Sequence, residues 1–394
     1  MSNLLESLQA DLEKRQTLGL MRQRRLLDSP QAEHITANGQ PFLSFCSNDY
    51  LGLANDAALV TALQQAAAEA GVGSGASNLI TGHHRYHDQL EQALAAFVGK
   101  PAALLFSTGY MANIGVISAL MGREDAVFSD KLNHACLNDG AFLSRATHHR
   151  FPHNDVAALE KLLQTSTARH KLIAADGVFS MDGDLAPLAE YLALCERYDA
   201  YLYVDDAHGF GVLGPQGRGS LRHLGLESPR LIMMGTLGKA AGVAGAFVAG
   251  EKVVIEYLIQ HANSYIYTTP APPPLSAALL ASLHEIEHGD ARRKQLFDMI
   301  ALLKSELSLT RWHLLPSSTA IQPLVVGDNH EALALSQYLQ TCGILVPAIR
   351  PPTVPVRTSR LRISLSAAHS EANVRALINA LHAAERDIPA GAQA

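Results

Sequence analysis

Two side chains carry the most direct chemical signal. Lys239 follows the apolar run 231–234 and sits among Gly235, Thr236, Leu237, Gly238, Ala240, Ala241 and Gly242. Thirty-four positions earlier, the apolar run 201–204 ends in Asp205, Asp206, Ala207, His208 and Gly209. An amine at one strand end and a carboxylate at another suit a pyridoxal phosphate (PLP) site. The lysine forms the Schiff base, an aldimine, and the acid keeps the pyridine nitrogen protonated so that the ring accepts electrons. Such a ring meets a real chemical need. The carbanion left when an amino acid loses its α-proton has nowhere to spread its charge, and a protonated pyridinium delocalises it.

Other motifs lie near these two. Ser107, Thr108, Gly109, Tyr110, Met111, Ala112 and Asn113 link an apolar run ending at Phe106 to a helical pattern over 114–120. Backbone N–H groups at such a helix start cradle a phosphate, and Gly109 lets it approach closely. Thr236, three before Lys239, adds a hydroxyl to the same phosphate. His134 lies in a loop beyond a strand, either as a helix-cap histidine or as an aromatic ring over the cofactor. His208 lies past the same strand end as Asp205, where open α/β sheets bind their ligands.

Three further patterns resolve into ordinary structure. Residues 209–214 match GxGxxG, but Pro215, Gln216 and Gly217 cannot open a helix at once, and no acid ends a following strand, so dinucleotide binding is rejected. His284, Glu285 and His288 match HExxH, yet Gly289 and Asp290 put the second histidine on a fraying last turn, as expected of an exposed helix. His83, His84 and His87 have no framing carboxylate or cysteine. No metal site is expected.

The elements that position these residues follow from length and pattern. A chain of 394 residues exceeds most single cores and predicts two domains. It is 48% apolar and 17% charged with a net charge of −6, which gives no reason to expect nucleic acid or an anionic membrane surface. Cys46, Cys136, Cys195 and Cys342 are widely spaced and read as reduced, mostly buried thiols. The N-terminus has no apolar core of a signal peptide and no run approaches a membrane span, so a soluble cytoplasmic protein is expected. Residues 2–27 read as one amphipathic helix, followed by a short strand over 42–45. Strands at 103–106, 126–129, 171–175, 201–204, 231–234 and 246–249 alternate mostly with helices, predicting a mainly parallel sheet covered on both faces. Eleven residues separate Met234 from Ala246, too few for a parallel crossover, so the last of these strands is expected to run antiparallel. Strands at 320–326 and 361–366 alternate with helices at 331–340 and 371–384, giving a smaller α+β domain. The expected divisions are an N-terminal segment 1–50, a large cofactor domain 51–285 and a small domain 286–394.

Taken together the motifs resemble the α-oxoamine synthases, PLP enzymes of the aspartate-aminotransferase fold. The resemblance rests on Asn48, Asp49, Tyr50, Leu51 and Gly52; Gly73, Ser74 and Gly75; Asn133, His134 and Ala135; Phe179, Ser180, Met181, Asp182 and Gly183; Asp205 to Gly209; and Thr236 to Lys239. It implies fold type I, with a seven-stranded sheet bearing one antiparallel strand. Arg350, Pro351, Pro352, Thr353, Val354 and Pro355, followed by Arg360 and Arg362, look like the branch that joins L-alanine to a pimeloyl thioester, on coenzyme A or acyl carrier protein, in biotin synthesis. Related branches, 2-amino-3-ketobutyrate ligase, 5-aminolevulinate synthase and serine palmitoyltransferase, remain alternatives, as does a non-catalytic partner of the same fold. The resemblance implies that Lys239 holds PLP and later removes the α-proton, Asp205 pairs with the ring nitrogen and His134 stacks on the ring. It also implies that His208 and Ser180 bond the phenolic oxygen, and that Gly109, Tyr110 and Thr236 serve the phosphate. Arg362 would grip the amino-acid carboxylate as a bidentate fork, while Arg22, Asn48 and Thr353 line the acyl side. A homodimer with shared sites is implied, with Thr268 and Thr269 reaching the neighbour's phosphate. Asn78 departs from the pattern, which often has arginine there.

Overall fold

The computed structural model describes residues 3–389. Residues 1–2 of the expected N-terminal segment, and 390–394 of the expected small domain, lie outside them. The chain forms two compact units: one gathers residues up to 50, 181–183 and from 294 onward, the other 51–180 and 184–293.

The N-terminal helix is shorter than the pattern predicts. It spans Leu4–Thr17, opened by a capping box between Asn3 and Glu6. It stops because Gly19 takes a left-handed φ of 63° and the Leu20 N–H turns back to the carbonyl of Arg15. Its leucines are exposed, Leu4 at 72% and Leu8 at 52%, so the apolar stripe that suggested an amphipathic helix buries nothing in this chain. Strands β1 (His34–Ala37) and β2 (Gln40–Ser44) then form an antiparallel hairpin.

The larger unit is built on seven strands: β3 (Ala102–Phe106), β4 (Ala126–Asp130), β5 (Thr147–Phe151), β6 (Lys171–Asp176), β7 (Tyr201–Asp205), β8 (Leu231–Thr236) and β9 (Ala246–Gly250). Their order is β3-β9-β8-β7-β6-β4-β5. All pairs are parallel except those of β9, which runs antiparallel to β8 and β3. Every residue of β4 and β9 is buried, the continuous apolar pattern of a sheet covered on both faces. β5 is the strand that periodicity misses. Its sequence Thr147, His148, His149, Arg150, Phe151 is polar because it lies at the sheet edge, with only Phe151 buried. Leu104, Val116, Val127, Leu172, Tyr203, Ile232 and Val248 belong to one buried cluster of this unit's core.

In the other unit β12 (Ile344–Leu345) pairs in parallel with β2, which joins the N-terminal segment and the C-terminal residues in one sheet. A second, antiparallel sheet has the order β10 (His313–Leu314), β11 (Ile321–Gly327), β14 (Ser359–Ser364), β13 (Ala348–Ile349). Helices Asn329–Thr341 and Glu371–Asp387 start at Asp328 and Ser370, whose side chains accept backbone N–H groups.

The loop from Thr236 to Ala246 carries Lys239 and closes tightly on Gly242, whose φ is 72°. A Cβ there would lie 2.6 Å from the backbone carbon of Leu53 and the backbone nitrogen of Ala54. Gly242→Ala therefore meets both backbone strain and an immovable neighbour. The expected outcome is a loss of at least about 2 kcal/mol in denaturant unfolding; an unchanged midpoint would show that the loop relaxes freely.

Candidate active site

The carboxyl ends of β6, β7 and β8 lie side by side: Asp176 is in register with Asp205, and Asp205 with Met234. Asp205 is only 4% exposed, and a buried carboxylate needs donors. Its Oδ2 accepts from Asn113 Nδ2 at 2.6 Å and its Oδ1 from the Ala207 N–H at 3.0 Å. Tyr203, two residues back on β7 and so on the same face of the strand, donates its hydroxyl to Asn113 Oδ1 at 2.7 Å. That bond fixes which end of the Asn113 amide faces the acid.

Lys239 Nζ donates to His208 Nε2 at 2.8 Å. Thr236 Oγ1 donates to the Gly245 carbonyl at 3.2 Å, pinning the base of the lysine loop. Helix Gly109–Leu120 begins beside it, capped by Thr108, whose Oγ1 accepts the Met111 N–H at 3.1 Å. A Cβ added to Gly109 would stand 3.8 Å from Thr236 Oγ1, so the two predicted phosphate-side residues are neighbours. The Tyr110 hydroxyl donates to Asp139, and Ser107 Oγ donates to the Thr269 carbonyl at 3.3 Å. Thr268 lines a cavity with Ser107, Asn78 and Gly245. Asn78 donates its amide to the Tyr265 carbonyl at 3.4 Å.

His134 takes the first of its anticipated positions, the helix cap. It is the N-cap of helix Ala135–Ser144, and the charges of Asp205 and Lys239 both reach its ring. Burial holds the imidazole below its ordinary value, the Asp205 charge works against that, and the Lys239 charge adds to it. The His134 N–H donates to Asp176 Oδ2 at 2.7 Å. Asp176 is pushed well above the usual carboxylate range, first by burial and then by the Asp205 charge, while the His134 N–H opposes the shift. Ser180, half-buried, ends the segment that carries Phe179. That segment is clamped by His153, which bonds Asp184 Oδ2 at 2.8 Å and Asp130 Oδ1 at 3.1 Å and meets the Phe179 ring edge-on at 4.4 Å.

The predicted substrate residues lie in the other unit, in two pairs. Arg362, 6% exposed, donates to Asn48 Oδ1 at 3.1 Å, to Ser364 Oγ at 2.8 Å and to the Tyr50 hydroxyl at 3.4 Å. Arg22 donates to Thr353 Oγ1 at 3.4 Å. Arg360, two residues before Arg362 on β14 and so on the same face, is used differently and pairs with Asp182 Oδ1 at 2.6 Å.

Asn113, Asp176, Tyr203 and Cys136 belong to the site and were not assigned roles from sequence. One signal for them was present. Asp176 ends an apolar strand just as Asp205 does, and Asn113 lies one helical turn beyond Gly109. The patterns rejected as sites have structural explanations. His84 and His87 form the reciprocal cap of helix Arg85–Val98, with the His84 N–H donating to His87 Nδ1 at 2.9 Å. His284 and His288 are exposed, and His288 Nδ1 donates to the His284 carbonyl at the end of helix Pro273–Glu287. Residues 209–214 form turns, and Pro215–Gly217 is a single 3-10 turn. All four cysteines are free thiols, but only Cys136 and Cys195 are buried, and Cys342 is exposed. Among the described residues no helix is long and apolar enough to cross a membrane, and no group of three or more His, Cys, Asp or Glu is placed to hold a metal.

A sequence profile of the aminotransferase class I and II family matches residues 40–381. An 8-amino-7-oxononanoate synthase from Aromatoleum aromaticum is 60% identical over 382 residues, covering 97% of this chain and 99% of its own. A serine palmitoyltransferase from S. paucimobilis, solved with a PLP–myriocin adduct, superposes with a TM-score of 0.93 at 30% identity, over 98% of this chain and 99% of its own. The 8-amino-7-oxononanoate synthase of Francisella tularensis superposes with a TM-score of 0.75 at 30% identity, over 88% and 99%. The chain belongs to the aminotransferase class I and II family and, within it, to the 8-amino-7-oxononanoate synthase group. The cofactor of this fold is PLP, and the residues present fit it. They offer a caged carboxylate for a ring nitrogen, an amine for an aldehyde, and a glycine-started helix beside a hydroxyl for a phosphate.

Two measurements follow from this geometry. A methyl at Gly109 would make only ordinary contacts with Met234 and Thr236, so Gly109→Ala should fold with an unchanged midpoint. It would also fill the space proposed to cradle the phosphate, and PLP retention on dialysis should fall about tenfold or more; full retention would remove Gly109 from that role. The second concerns His153. Burial pulls its pKa down, but the bonds to Asp130 and Asp184 outweigh this and carry it up to about 10. A raised pKa stabilises the fold fully below the unfolded value of about 6.5 and loses that contribution as pH climbs through the folded value. The stability gap between wild type and His153→Ala should thus be widest near pH 6 and shrink towards pH 10 in urea unfolding. A gap independent of pH would mean that the clamp acts by packing alone.

Proposed function

We propose that this chain catalyses the decarboxylative condensation of L-alanine with a pimeloyl thioester, carried on coenzyme A or acyl carrier protein. The products are 8-amino-7-oxononanoate, carbon dioxide and the free thiol, as a step of biotin synthesis. The observation that carries the reading is Lys239 placed beside His208, with the caged Asp205 carboxylate on the neighbouring strand, in a chain 60% identical end to end to a synthase of that name. The likeness to serine palmitoyltransferase in shape supports the same chemistry with other substrates, but its 30% identity weighs less for substrate choice.

When bound, PLP supplies a ring that accepts electrons from the α-carbon of an amino acid. The protein residues do the rest. Lys239 Nζ holds the cofactor and moves the α-proton. Asp205 would hold a proton at the ring nitrogen, its own oxygens fixed by two N–H donors. His134 lies on the ring face, and His208 with Ser180 bonds the phenolic oxygen. Gly109, Tyr110 and Thr236 hold the phosphate. Arg362 receives the alanine carboxylate, its guanidinium already oriented by Asn48, Ser364 and Tyr50. Asn48, Arg22 and Thr353 take the acyl side.

The proposed assembly is a cytoplasmic homodimer, with Thr268 and Thr269 serving the partner's phosphate. Phe142 and Tyr267, each 80% exposed, and Ile80 at 75% are apolar surface of the kind a second copy covers. The test is a side-by-side assay of alanine with pimeloyl-CoA or pimeloyl-acyl carrier protein against glycine with acetyl-CoA or succinyl-CoA, following carbon dioxide and thiol release. Alanine with a pimeloyl donor is expected to be fastest. Glycine should be poorer by roughly the 10- to 200-fold that one methyl group confers, and faster turnover of either glycine pair would overturn the substrate assignment.

A further inference from the structure

Between Asp205 and His134 lies a side chain with no role so far. Cys136 is 2% exposed, and its sulfur touches His134 and Asn113, the amide partner of Asp205. Asn113 Nδ2 donates to Asp205 Oδ2 and also approaches Cys136 Sγ at 2.9 Å. His134 Nδ1 lies 2.7 Å from the same sulfur and also faces the Cys136 backbone N–H at 3.3 Å.

The directions of these bonds can be worked out. The Tyr203 hydroxyl donates to Asn113 Oδ1, so the Asn113 nitrogen must point at the acid and the sulfur, because the reverse orientation would set two oxygens face to face. The sulfur therefore receives an N–H and has its own hydrogen to give. The remaining neighbour is His134 Nδ1. That nitrogen also takes a backbone N–H, so it carries no proton, and the ring proton sits on Nε2. Burial, reinforced by the Asp205 charge, pushes the Cys136 thiol up to about 12, which keeps the hydrogen on the sulfur at any working pH.

We propose that Cys136 is a positioning residue that donates its S–H to His134 Nδ1 and so holds that histidine as the neutral Nε2–H tautomer. Its value rests on the functional reading above, in which His134 lies over a protonated pyridine ring. A second cation on that face would repel the ring's proton and weaken the electron sink. Through Asn113 the same hydrogen-bonded chain orients the acid below, so Cys136 ties the group that keeps the ring charged to the group that must stay uncharged. Among the four cysteines it alone has this setting: Cys46 donates to the Leu345 carbonyl, Cys195 is buried away from these groups on helix Leu188–Tyr198, and Cys342 is exposed.

The test uses the full-length protein with and without PLP. An infrared difference spectrum of wild type minus Cys136→Ser isolates one S–H stretch, expected at the lowered frequency of a thiol donating to nitrogen. Nitrogen chemical shifts of labelled histidine, assigned through His134→Asn, should report a neutral Nε2–H ring at pH 7. In Cys136→Ala the His134 titration should move up, and PLP should be released roughly tenfold more readily, with Cys136→Ser restoring much of both. A stretch at the free-thiol frequency, no S–H band, or a His134 titration unmoved in both variants would overturn the proposal. The S–H band and the tautomer are read without substrate. A protein showing both but failing to use alanine and a pimeloyl thioester would support the hydrogen bond and refute the substrate reading instead.

Discussion

A carboxyl group buried inside a protein, with its need for hydrogen-bond donors, is the constraint around which the larger unit is organised. Asp205 has almost no contact with water, and buried without donors it would be costly. Two N–H donors prevent that, one from the turn after its own strand and one from a helix reached through Asn113. The helix can reach the strand end only because β3 and β7 belong to one sheet, and Tyr203 locks the amide because a strand repeats its direction every second residue. The neighbouring strand ends in a second acid, Asp176, and two buried negative charges in register would repel each other. Burial and the Asp205 charge push the Asp176 carboxyl well above its usual range, and the His134 N–H opposes the shift.

Much of this was legible in the chain itself. The lysine, the acid and the phosphate-side helix start could be read because glycine and a charged residue after an apolar run mark the end of a buried strand. The antiparallel turn of β9 followed from counting residues, since the eleven between Met234 and Ala246 cannot carry a parallel crossover. What escaped was of two kinds. β5 escaped because an edge strand is polar and its alternation is weak. Asn113, Asp176 and Cys136 escaped because their roles lie in contacts between residues 23 to 92 positions apart, which no local pattern encodes. The N-terminal helix was misjudged in the other direction: a stripe of leucines reads as a buried face, whereas here it stays in solvent.

The second unit shows how far identical residue types can diverge. Arg360 and Arg362 stand two residues apart on one strand and so point to the same face, yet they find different partners. The first is neutralised by Asp182, which makes it part of the framework. The second donates to Asn48, Ser364 and Tyr50, which orient its fork. The two arginines thus differ in the partners that surround them, a difference sequence alone does not reveal.

The loop that carries Lys239 has a consequence for how such a chain can change. It joins two hydrogen-bonded strands in the middle of the sheet, and both of its ends are tied, by Thr236 to Gly245 and by Leu237 to Gly245. β9 is also held in register by β3 on its other side, so a change in the length of this loop would be taken up inside it, where Gly242 packs too closely against Leu53 and Ala54 to admit even a methyl group. A residue added or removed there would therefore move the reactive amine while leaving both strands where they are.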